Sequence, residues 1–205
     1  VMTTDPEETP DTPTYVDVDF EKGVPVALDG EKMPLAALVE KLNQVAGDNG
    51  YGRLDLMENR MVGLKSRECY EVPAALTLIT AHKALEDLTL ERDVLHQKLY
   101  LEQTWATCVY NGQWFSPLKK ALDAFMAETQ KFVTGTVRLK FIKGHCTVMG
   151  RKSPCSLYDY GLATYDRDTT FDEKAAVGFI EIETLSLKTW AKMQGPTSLA
   201  AQSLS

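Results

Sequence analysis

Strand-like and helix-like segments follow one another along this chain in groups, and their order limits the fold more than any other feature. Two strand patterns come first, residues 15–22 and 24–28, and Asp29-Gly30 then turns the chain. A helix over residues 33–46, a hairpin, further helices, a second hairpin and a last helix follow. Strands joined by short turns pair antiparallel, whereas a parallel sheet needs alternating strands and helices. The order therefore predicts an α+β fold, with a mainly antiparallel sheet and several packed helices, and disfavours a doubly wound nucleotide-binding domain.

Two hairpins are marked by alternating runs on either side of short turns. The runs are residues 52–58 and 61–66 around Asn59-Arg60, and residues 136–142 and 146–150 around Lys143-Gly144. Alternation of apolar and polar residues around a few turn residues is typical of antiparallel pairs. We therefore expect two separate hairpins with helices between them.

Helix starts are marked by capping residues and prolines. Pro73 suits a first helical turn, and Ser116-Pro117 combines a capping hydroxyl with proline at the first helical position. Thr89 resembles a further N-terminus, for a helix over residues 90–109. Aromatic residues around the end of that helix are expected to belong to the core, and these are Trp105, Tyr110, Trp114 and Phe115.

Composition divides the chain into a body and two terminal parts. The first fourteen residues are rich in Pro, Thr and acidic residues, which is typical of an extended linker between domains. We expect this interdomain linker over residues 1–14, a domain over residues 15–182, a C-terminal oligomerisation helix over residues 183–194 and a flexible tail over residues 195–205.

Charge and hydrophobicity narrow the class of function. The 205 residues are 44% hydrophobic, enough for the core of one large domain. The net charge of -7 argues against nucleic acid or acidic membranes as partners, because phosphate binding needs a basic field. No run of about eighteen apolar residues occurs, so no membrane span is expected, and the N-terminus lacks a signal-peptide pattern.

Cysteines and histidines lack the spacing of a metal site. They are Cys69, Cys108, Cys146 and Cys155, and His82, His96 and His145. Without Cys-x-x-Cys pairs or carboxylates at ligand spacing, we expect no metal, and reduced thiols as in a cytoplasmic protein. His82 is expected to be a packed or capping residue.

Ionic and hydrogen-bonding groups are concentrated in residues 52–71. The groups are Glu58, Arg60, Lys65, Ser66, Arg67, Tyr70 and Glu71. A pocket for a zwitterion needs such groups of both signs, because a carboxylate holds an ammonium and a guanidinium holds a carboxylate. In an isolated hairpin, Glu58 would instead be a solvated turn carboxylate. The basic residues and Ser66 fit either a surface ion network or a position near substrate carboxylates or a partner domain.

The same segment resembles a family signature. Residues 58–73 read ENRMVGLKSRECYEVP, which is similar to the ENRxVGxKSRxxYExP signature of argininosuccinate synthases. The similarity continues through AHKALEDLTLERDV, YNGQWFSP, VTGTVRLKFIKG and GRKSPCSLYD, and it is preceded by FEKGVPVALDGE and LNQVAGDNGYGR. These matches cover residues 17–192 in order. Two residues depart from the usual pattern: Glu68 replaces a glycine, which would strain a backbone at positive φ, and Val72 replaces a threonine.

The resemblance implies an ATP-dependent ligase of arginine biosynthesis. Such an enzyme joins citrulline and aspartate into argininosuccinate and releases AMP and pyrophosphate, and the matching positions imply that Glu58 and Tyr70 bind citrulline. ATP and magnesium are bound mainly by an N-terminal half that carries an SGGLDTS-like loop. No such loop occurs in this chain, so we expect it to be the C-terminal half, which alone would be inactive.

The resemblance also implies a cytoplasmic homotetramer whose C-terminal helix extends onto neighbouring subunits. Leu185, Leu187 and Trp190 are then expected to bury against another protomer. Two other functions stay open: a catalytically inactive oligomerisation or amino-acid-binding module, and a regulatory domain that binds a small molecule.

Overall fold

The described part of the chain, residues 2–164 and 170–195 of a computed structural model, contains both helices and strands. The helices are α1 (Leu35–Asp48), α2 (Pro73–Thr89), α3 (Arg92–Tyr110), α4 (Pro117–Thr129), α5 (Tyr160–Ala163), α6 (Ala175–Glu183) and α7 (Leu185–Gln194). The strands are β1 (Thr14–Glu21), β2 (Val24–Leu28), β3 (Glu31–Lys32), β4 (Arg53–Asn59), β5 (Lys65–Glu71), β6 (Gly135–Ile142) and β7 (His145–Lys152). The described residues up to Tyr158 form one compact unit, and the described residues from Asp159 form a second.

The main sheet is antiparallel, with the strand order β3-β2-β1-β6-β7. Its central pair joins β1 to β6, in a register that runs from Thr14 opposite Phe141 to Phe20 opposite Gly135. The hairpin of β4 and β5 forms a separate two-stranded sheet. The predicted α+β class with a mainly antiparallel sheet is confirmed.

The core lies where α1 and α2 pack against the main sheet. Alternate residues of the two central strands are buried, because successive side chains of a strand point to opposite faces. These residues are Val16, Val18 and Phe20 of β1, and Val137, Leu139 and Phe141 of β6. The helices contribute Leu38, Leu42 and Ala46 of α1, and Ala74, Ala81 and Leu85 of α2. Each buried large apolar side chain stabilises the fold by about 1.5–3 kcal/mol relative to an exposed one.

The two predicted hairpins are present, but the first has a longer turn than expected. β5 begins at Lys65, whereas the sequence pattern predicted a strand from Met61. Residues 60–64 form a loop instead. The Arg60 amide donates to Leu64 O at 2.9 Å, and Gly63 adopts a φ of 85°, which allows the chain to turn. The hairpin of β6 and β7 turns at Lys143-Gly144 as predicted, both with positive φ.

The predicted helix start at Thr89 is wrong. Thr89 is the last residue of α2, and its hydroxyl donates to Leu85 O at 2.9 Å. Leu90 is extended, and the Glu91 carboxylate then accepts hydrogen bonds from the first free amides of α3 at 2.9 and 3.2 Å. The start of α4 follows the prediction, since Ser116 Oγ accepts a hydrogen bond from Lys119 N at 3.2 Å.

The segment before β1 is bound to the base of the first hairpin. Thr3 is buried, and its Oγ1 accepts a hydrogen bond from Arg53 Nε at 2.8 Å. The Glu71 carboxylate accepts from Met2 N at 2.6 Å and from the Thr3 hydroxyl. Whether residues 1–14 link two domains stays a prediction.

A buried polar network joins α2, α3 and the end of α4. Glu86 is only 2% exposed, and it accepts hydrogen bonds from Gln130 Nε2 at 2.6 Å and forms an ion pair with Lys98 Nζ at 3.2 Å. His82 Nε2 lies 2.9 Å from Gln130 Oε1, and the His82 ring packs against Phe20. His82 is therefore a packed residue, as predicted. Gln130 forms hydrogen bonds with both Glu86 and His82.

The second compact unit contains α5, α6 and α7. No described residue of α6 or α7 is buried within this chain, although both helices are rich in apolar side chains. The predicted flexible tail over residues 195–205 lies outside the described residues, apart from Gly195. None of the described helices is both long enough and apolar enough to cross a membrane.

Candidate functional site

Glu58 lies near the end of β4, directly opposite Ser66 of β5. Its side chain is only 17% exposed, although it sits next to the turn. The alternation of a strand places residues 54, 56 and 58 on one face of the hairpin, together with residues 66, 68 and 70 of the partner strand. Glu58 is therefore not a solvated turn carboxylate, and it shares its face with Tyr70.

Tyr70 is in direct contact with Glu58. Its hydroxyl donates a hydrogen bond of 2.6 Å to Glu58 Oε1. The Tyr70 side chain crosses the hairpin face diagonally, since Tyr70 pairs with Leu54, four residues before Glu58 on β4. The two residues that the resemblance singled out, twelve positions apart, thus form one polar pair.

Tyr110, the last residue of α3, completes this cluster. Its hydroxyl donates a hydrogen bond of 3.2 Å to Glu58 Oε2. The sequence predicted an aromatic core around Tyr110, but Tyr110 is 51% exposed and Phe115 is 88% exposed. The signal that could have found Tyr110 is its place directly before the helix stop Asn111-Gly112, where a side chain projects from the end of a helix.

One guanidinium faces the same carboxylate. Arg60 Nη1 lies 3.4 Å from Glu58 Oε2 and 4.0 Å from Glu68 Oε1. The pKa of the Glu58 carboxyl is lowered, and the Tyr70 hydrogen bond is the largest cause. Burial opposes this shift, and the contacts with Tyr110 and Arg60 add to it. Glu58 is therefore an ionised carboxylate at neutral pH and is able to bind a cation.

The pKa values of the Tyr70 and Tyr110 hydroxyls are raised, whereas that of Glu58 is lowered. The hydrogen bond to Glu58, with burial and the negative charge adding to it, raises the pKa of Tyr70 to about 12. Burial first, and then the bond to Glu58, raises the pKa of Tyr110. Both hydroxyls therefore remain neutral donors at physiological pH.

The remaining polar residues of the segment fall on the two faces of the hairpin. Arg67 binds Asp55 through two hydrogen bonds of 2.9 and 2.7 Å, and both residues lie on the face opposite Glu58. Lys65 Nζ donates to Asn59 Oδ1 at 2.5 Å on that same face. Both contacts fit the surface network that was one of the two alternatives. Ser66 lies on the Glu58 face, and its buried hydroxyl has no hydrogen-bond partner among the described residues.

The cluster borders an open cavity of about 540 Å³. Its lining residues are Glu58, Arg60, Met61, Val62, Tyr70 and Tyr110. Charged and phenolic groups line one part, and aliphatic side chains of the turn line the other. This volume and mixture suit a small polar molecule with an ammonium group.

The two departures from the family pattern leave this arrangement intact. Glu68 pairs with Leu56 inside β5, and it is not among the described residues with positive φ, so no strain arises there. Val72 precedes α2 as its N-cap residue and makes no side-chain capping bond.

No described group of three or more His, Cys, Asp or Glu residues is arranged to hold a metal ion. The four cysteines are unpaired thiols. Burial raises the pKa of the Cys146 thiol to about 12, which keeps it protonated and unreactive.

Comparison with known proteins identifies the family to which this chain belongs. The family model for the arginosuccinate synthase C-terminal domain matches residues 1–190. The argininosuccinate synthase of Rubrobacter xylanophilus is 54% identical over 201 residues, which are 98% of this chain and 49% of that protein. The argininosuccinate synthase of Bacillus licheniformis is 56% identical over 195 residues, 95% of this chain and 48% of that protein. The chain spans about half the length of these relatives, and it belongs to the argininosuccinate synthase C-terminal domain family.

Proposed function

We propose that this chain supplies the citrulline-binding surface of an argininosuccinate synthase. Such a protein is an ATP-dependent ligase that joins citrulline and aspartate to form argininosuccinate, with release of AMP and pyrophosphate. Family membership supports the ligase class. The single observation that carries the assignment to a site is the contact of Glu58 with Tyr70 beside an open cavity.

The chemistry of the pair suits the α-amino group of citrulline. An ammonium has three donors and no acceptor, so it needs a carboxylate with free lone pairs. Glu58 is ionised and only partly exposed, which strengthens its attraction for a cation relative to open water. Tyr70 adds a neutral hydroxyl that orients the carboxylate and contributes no charge of its own. Arg60, next to Glu58, is available for the α-carboxylate.

ATP and magnesium do not fit the residues of this chain. The sequence has no glycine-rich phosphate loop, and its described residues offer no acidic cluster for a cation. We therefore assign both, together with aspartate, to the part of the full-length relatives that this chain does not span. The chain itself contributes orientation of citrulline, which lowers the barrier by positioning the reacting groups.

The test is Glu58→Gln in the complete gene product, which preserves shape and removes charge. We expect the KM for citrulline to rise about tenfold or more, since hydrogen bonds to charged groups are worth about 1.5–3 kcal/mol. Measured at saturating citrulline, the exchange between ATP and pyrophosphate should keep an unchanged KM for ATP. Citrulline-dependent release of AMP measures the first quantity.

Asp55→Asn is the matched control, because Asp55 lies on the opposite face of the same hairpin. It should leave the KM for citrulline unchanged. An equal effect of the two variants would show that hairpin stability, rather than a citrulline contact, is being measured. If the complete gene product shows no citrulline-dependent reaction at all, the alternative of an inactive oligomerisation or amino-acid-binding module replaces this proposal.

We also propose self-association as a cytoplasmic homotetramer through α7. The support is the exposure of its apolar residues, with Leu185 at 56%, Leu187 at 64% and Trp190 at 54%. An apolar helix surface of this kind is typical of one that is covered in an assembly.

A further inference from the structure

The hairpin that carries Glu58 is held at its base by the N-terminal segment. Arg53 and Glu71, at the open end of the hairpin, contact Thr3, and Val72 N donates to Gly52 O at 2.8 Å. Glu58 lies at the other end, next to the loop. A two-stranded hairpin has little stability by itself, so its far end needs a contact with the body of the protein.

The hydroxyl of Tyr110 makes that contact. Among the described residues, its bond to Glu58 Oε2 is the one hydrogen bond between the hairpin and α3 or α4. Fifty-two positions separate the two residues in sequence, so only the tertiary fold joins them. The Tyr110 hydroxyl donates to the Glu58 carboxylate itself, and not to a neighbouring surface group.

The end of α3 holds Tyr110 in a defined place. Cys108, two residues earlier, is buried, and its carbonyl accepts a hydrogen bond from Gln113 N at 2.8 Å. Gly112 has a φ of 71° and donates to Val109 O at 3.0 Å, which closes the helix directly after Tyr110. The phenol therefore projects from a closed helix end and not from a free loop.

The hydrogen bonds to Glu58 restrict how a ligand can approach. A carboxylate has about four lone-pair sites on its two oxygens. Tyr70 takes one site on Oε1, while Tyr110 and Arg60 contact Oε2. The sites that stay open determine the direction from which an ammonium can bind. Tyr110 thus acts on the ligand through Glu58.

We propose that Tyr110 is a positioning residue for citrulline, which fixes the Glu58 carboxylate in the orientation that receives the α-ammonium group. The inference rests on the proposed function and adds to it a residue on a different element. Tyr110 has no role in the chemical step, and its effect is confined to the binding of this one substrate.

The test is Tyr110→Phe in the complete gene product, which removes the hydroxyl and keeps the ring. We expect the KM for citrulline to rise about three- to tenfold, as for one hydrogen bond to a partly exposed charge, with kcat changed less than about twofold. Tyr100→Phe is the matched control. Tyr100 lies on the same helix, is 75% exposed, and has no hydrogen bond among those of the described residues.

A pH profile separates positioning from a general structural role. The groups that contact Glu58 are Tyr70 of β5, Arg60 of the loop and Tyr110 of α3, and Glu68 of β5 lies 4.0 Å from the same Arg60 guanidinium. Loss of the Tyr110 donor would raise the pKa of Glu58, so the acid limb of kcat/KM for citrulline should move to higher pH. Tyr100→Phe should leave this limb in place.

Combination with Glu58→Ala gives the deciding result. Tyr110→Phe should cause no further loss of citrulline binding once the carboxylate is absent. An equal loss in both backgrounds would overturn the inference, because Tyr110 would then act independently of Glu58. Unchanged binding in Tyr110→Phe, alongside a loss in Glu58→Ala, would overturn the inference alone. Unchanged binding in Glu58→Ala would overturn the proposed function and the inference together.

Discussion

At the scale of single residues, the site is built on one carboxylate that is shared by two phenols and a guanidinium. Glu58 and Tyr70 could be recognised in the sequence because they lie within one short signature. The sequence marks Tyr110 as a residue at the end of a helix, but nothing in the local pattern of α3 states that its hydroxyl meets Glu58 of β4. A contact between residues so far apart in the chain depends on how α3 packs, and packing is not a local property.

The pair of Glu58 and Tyr70 predicts an unusual titration. Since the pKa of Tyr70 is raised to about 12, Tyr70 should ionise later than an ordinary tyrosine, whose pKa is about 10. Its hydrogen bond therefore stabilises the fold fully below pH 10, and this contribution is lost as the pH rises toward 12. Glu58 has a lowered pKa, so its contribution is present above the usual carboxyl range and is lost as the pH falls through the folded-state value.

Absorbance at the phenolate band measures this titration. Subtracting the curve of Tyr70→Phe from that of the unchanged protein isolates Tyr70. In Glu58→Gln the isolated curve should move down toward pH 10, because the negative charge that opposes ionisation is gone. A Tyr70 curve centred near pH 10 in the unchanged protein would contradict the contact with Glu58.

At the scale of elements, most starts and ends follow from local chemistry. Ser116-Pro117 begins α4 as expected, and Lys143-Gly144 turns the second hairpin. The errors arise where two local signals compete. Thr89 has the side chain of a capping residue, but it bonds backward to Leu85, and Glu91 caps α3 instead. In the first hairpin Gly63 allows a longer loop than the two-residue turn that the pattern favoured.

Val72 is an element-scale departure that can be tested directly. It is the N-cap residue of α2 and lacks a capping side chain, whereas threonine has nearly the same shape and adds a hydroxyl. Ala74 N already donates to Asn43 Oδ1 at 2.9 Å, so the amide of Ala75 is the one that a capping hydroxyl would reach. We expect Val72→Thr to raise the free energy of unfolding by about 0.5–1 kcal/mol, measured by urea denaturation.

Ser116→Ala provides the comparison in the same experiment. It removes an existing capping bond of α4 and should lower the free energy of unfolding by about 1 kcal/mol. A neutral or destabilising Val72→Thr, next to a destabilising Ser116→Ala, would mean that the geometry before Pro73 does not admit a capping hydroxyl.

At the scale of the whole molecule, the two compact units differ in the burial of their apolar side chains. The first unit buries its large aliphatic residues between the main sheet and two helices. In the second unit, α6 exposes Phe179 at 65% and Ile182 at 72%, and α7 exposes Leu187 and Trp190. Apolar helices that bury nothing within their own chain need cover from elsewhere.

The proposed assembly through α7 predicts a change of mass on substitution. Leu187→Glu combined with Trp190→Glu should convert a larger assembly into smaller species, because charges would be buried in an apolar interface. Lys188→Ala, on the opposite side of the helix from Trp190, should leave the mass unchanged. Light scattering coupled to size exclusion measures both, and a monomeric mass for the unchanged protein would contradict the proposal.

The sequence alone determined four local features: the grouping of strands and helices, the cap of α4 at Ser116, the turn at Lys143-Gly144, and the signature that contains Glu58 and Tyr70. Periodicity and capping act over a few residues, so they can be recognised without a fold. The tertiary structure alone decided that Tyr110 meets Glu58, that Lys98 neutralises the buried Glu86, and that the N-terminal segment closes on Glu71. These contacts join distant parts of the chain, and their partners are selected by packing and by the need to satisfy buried charge.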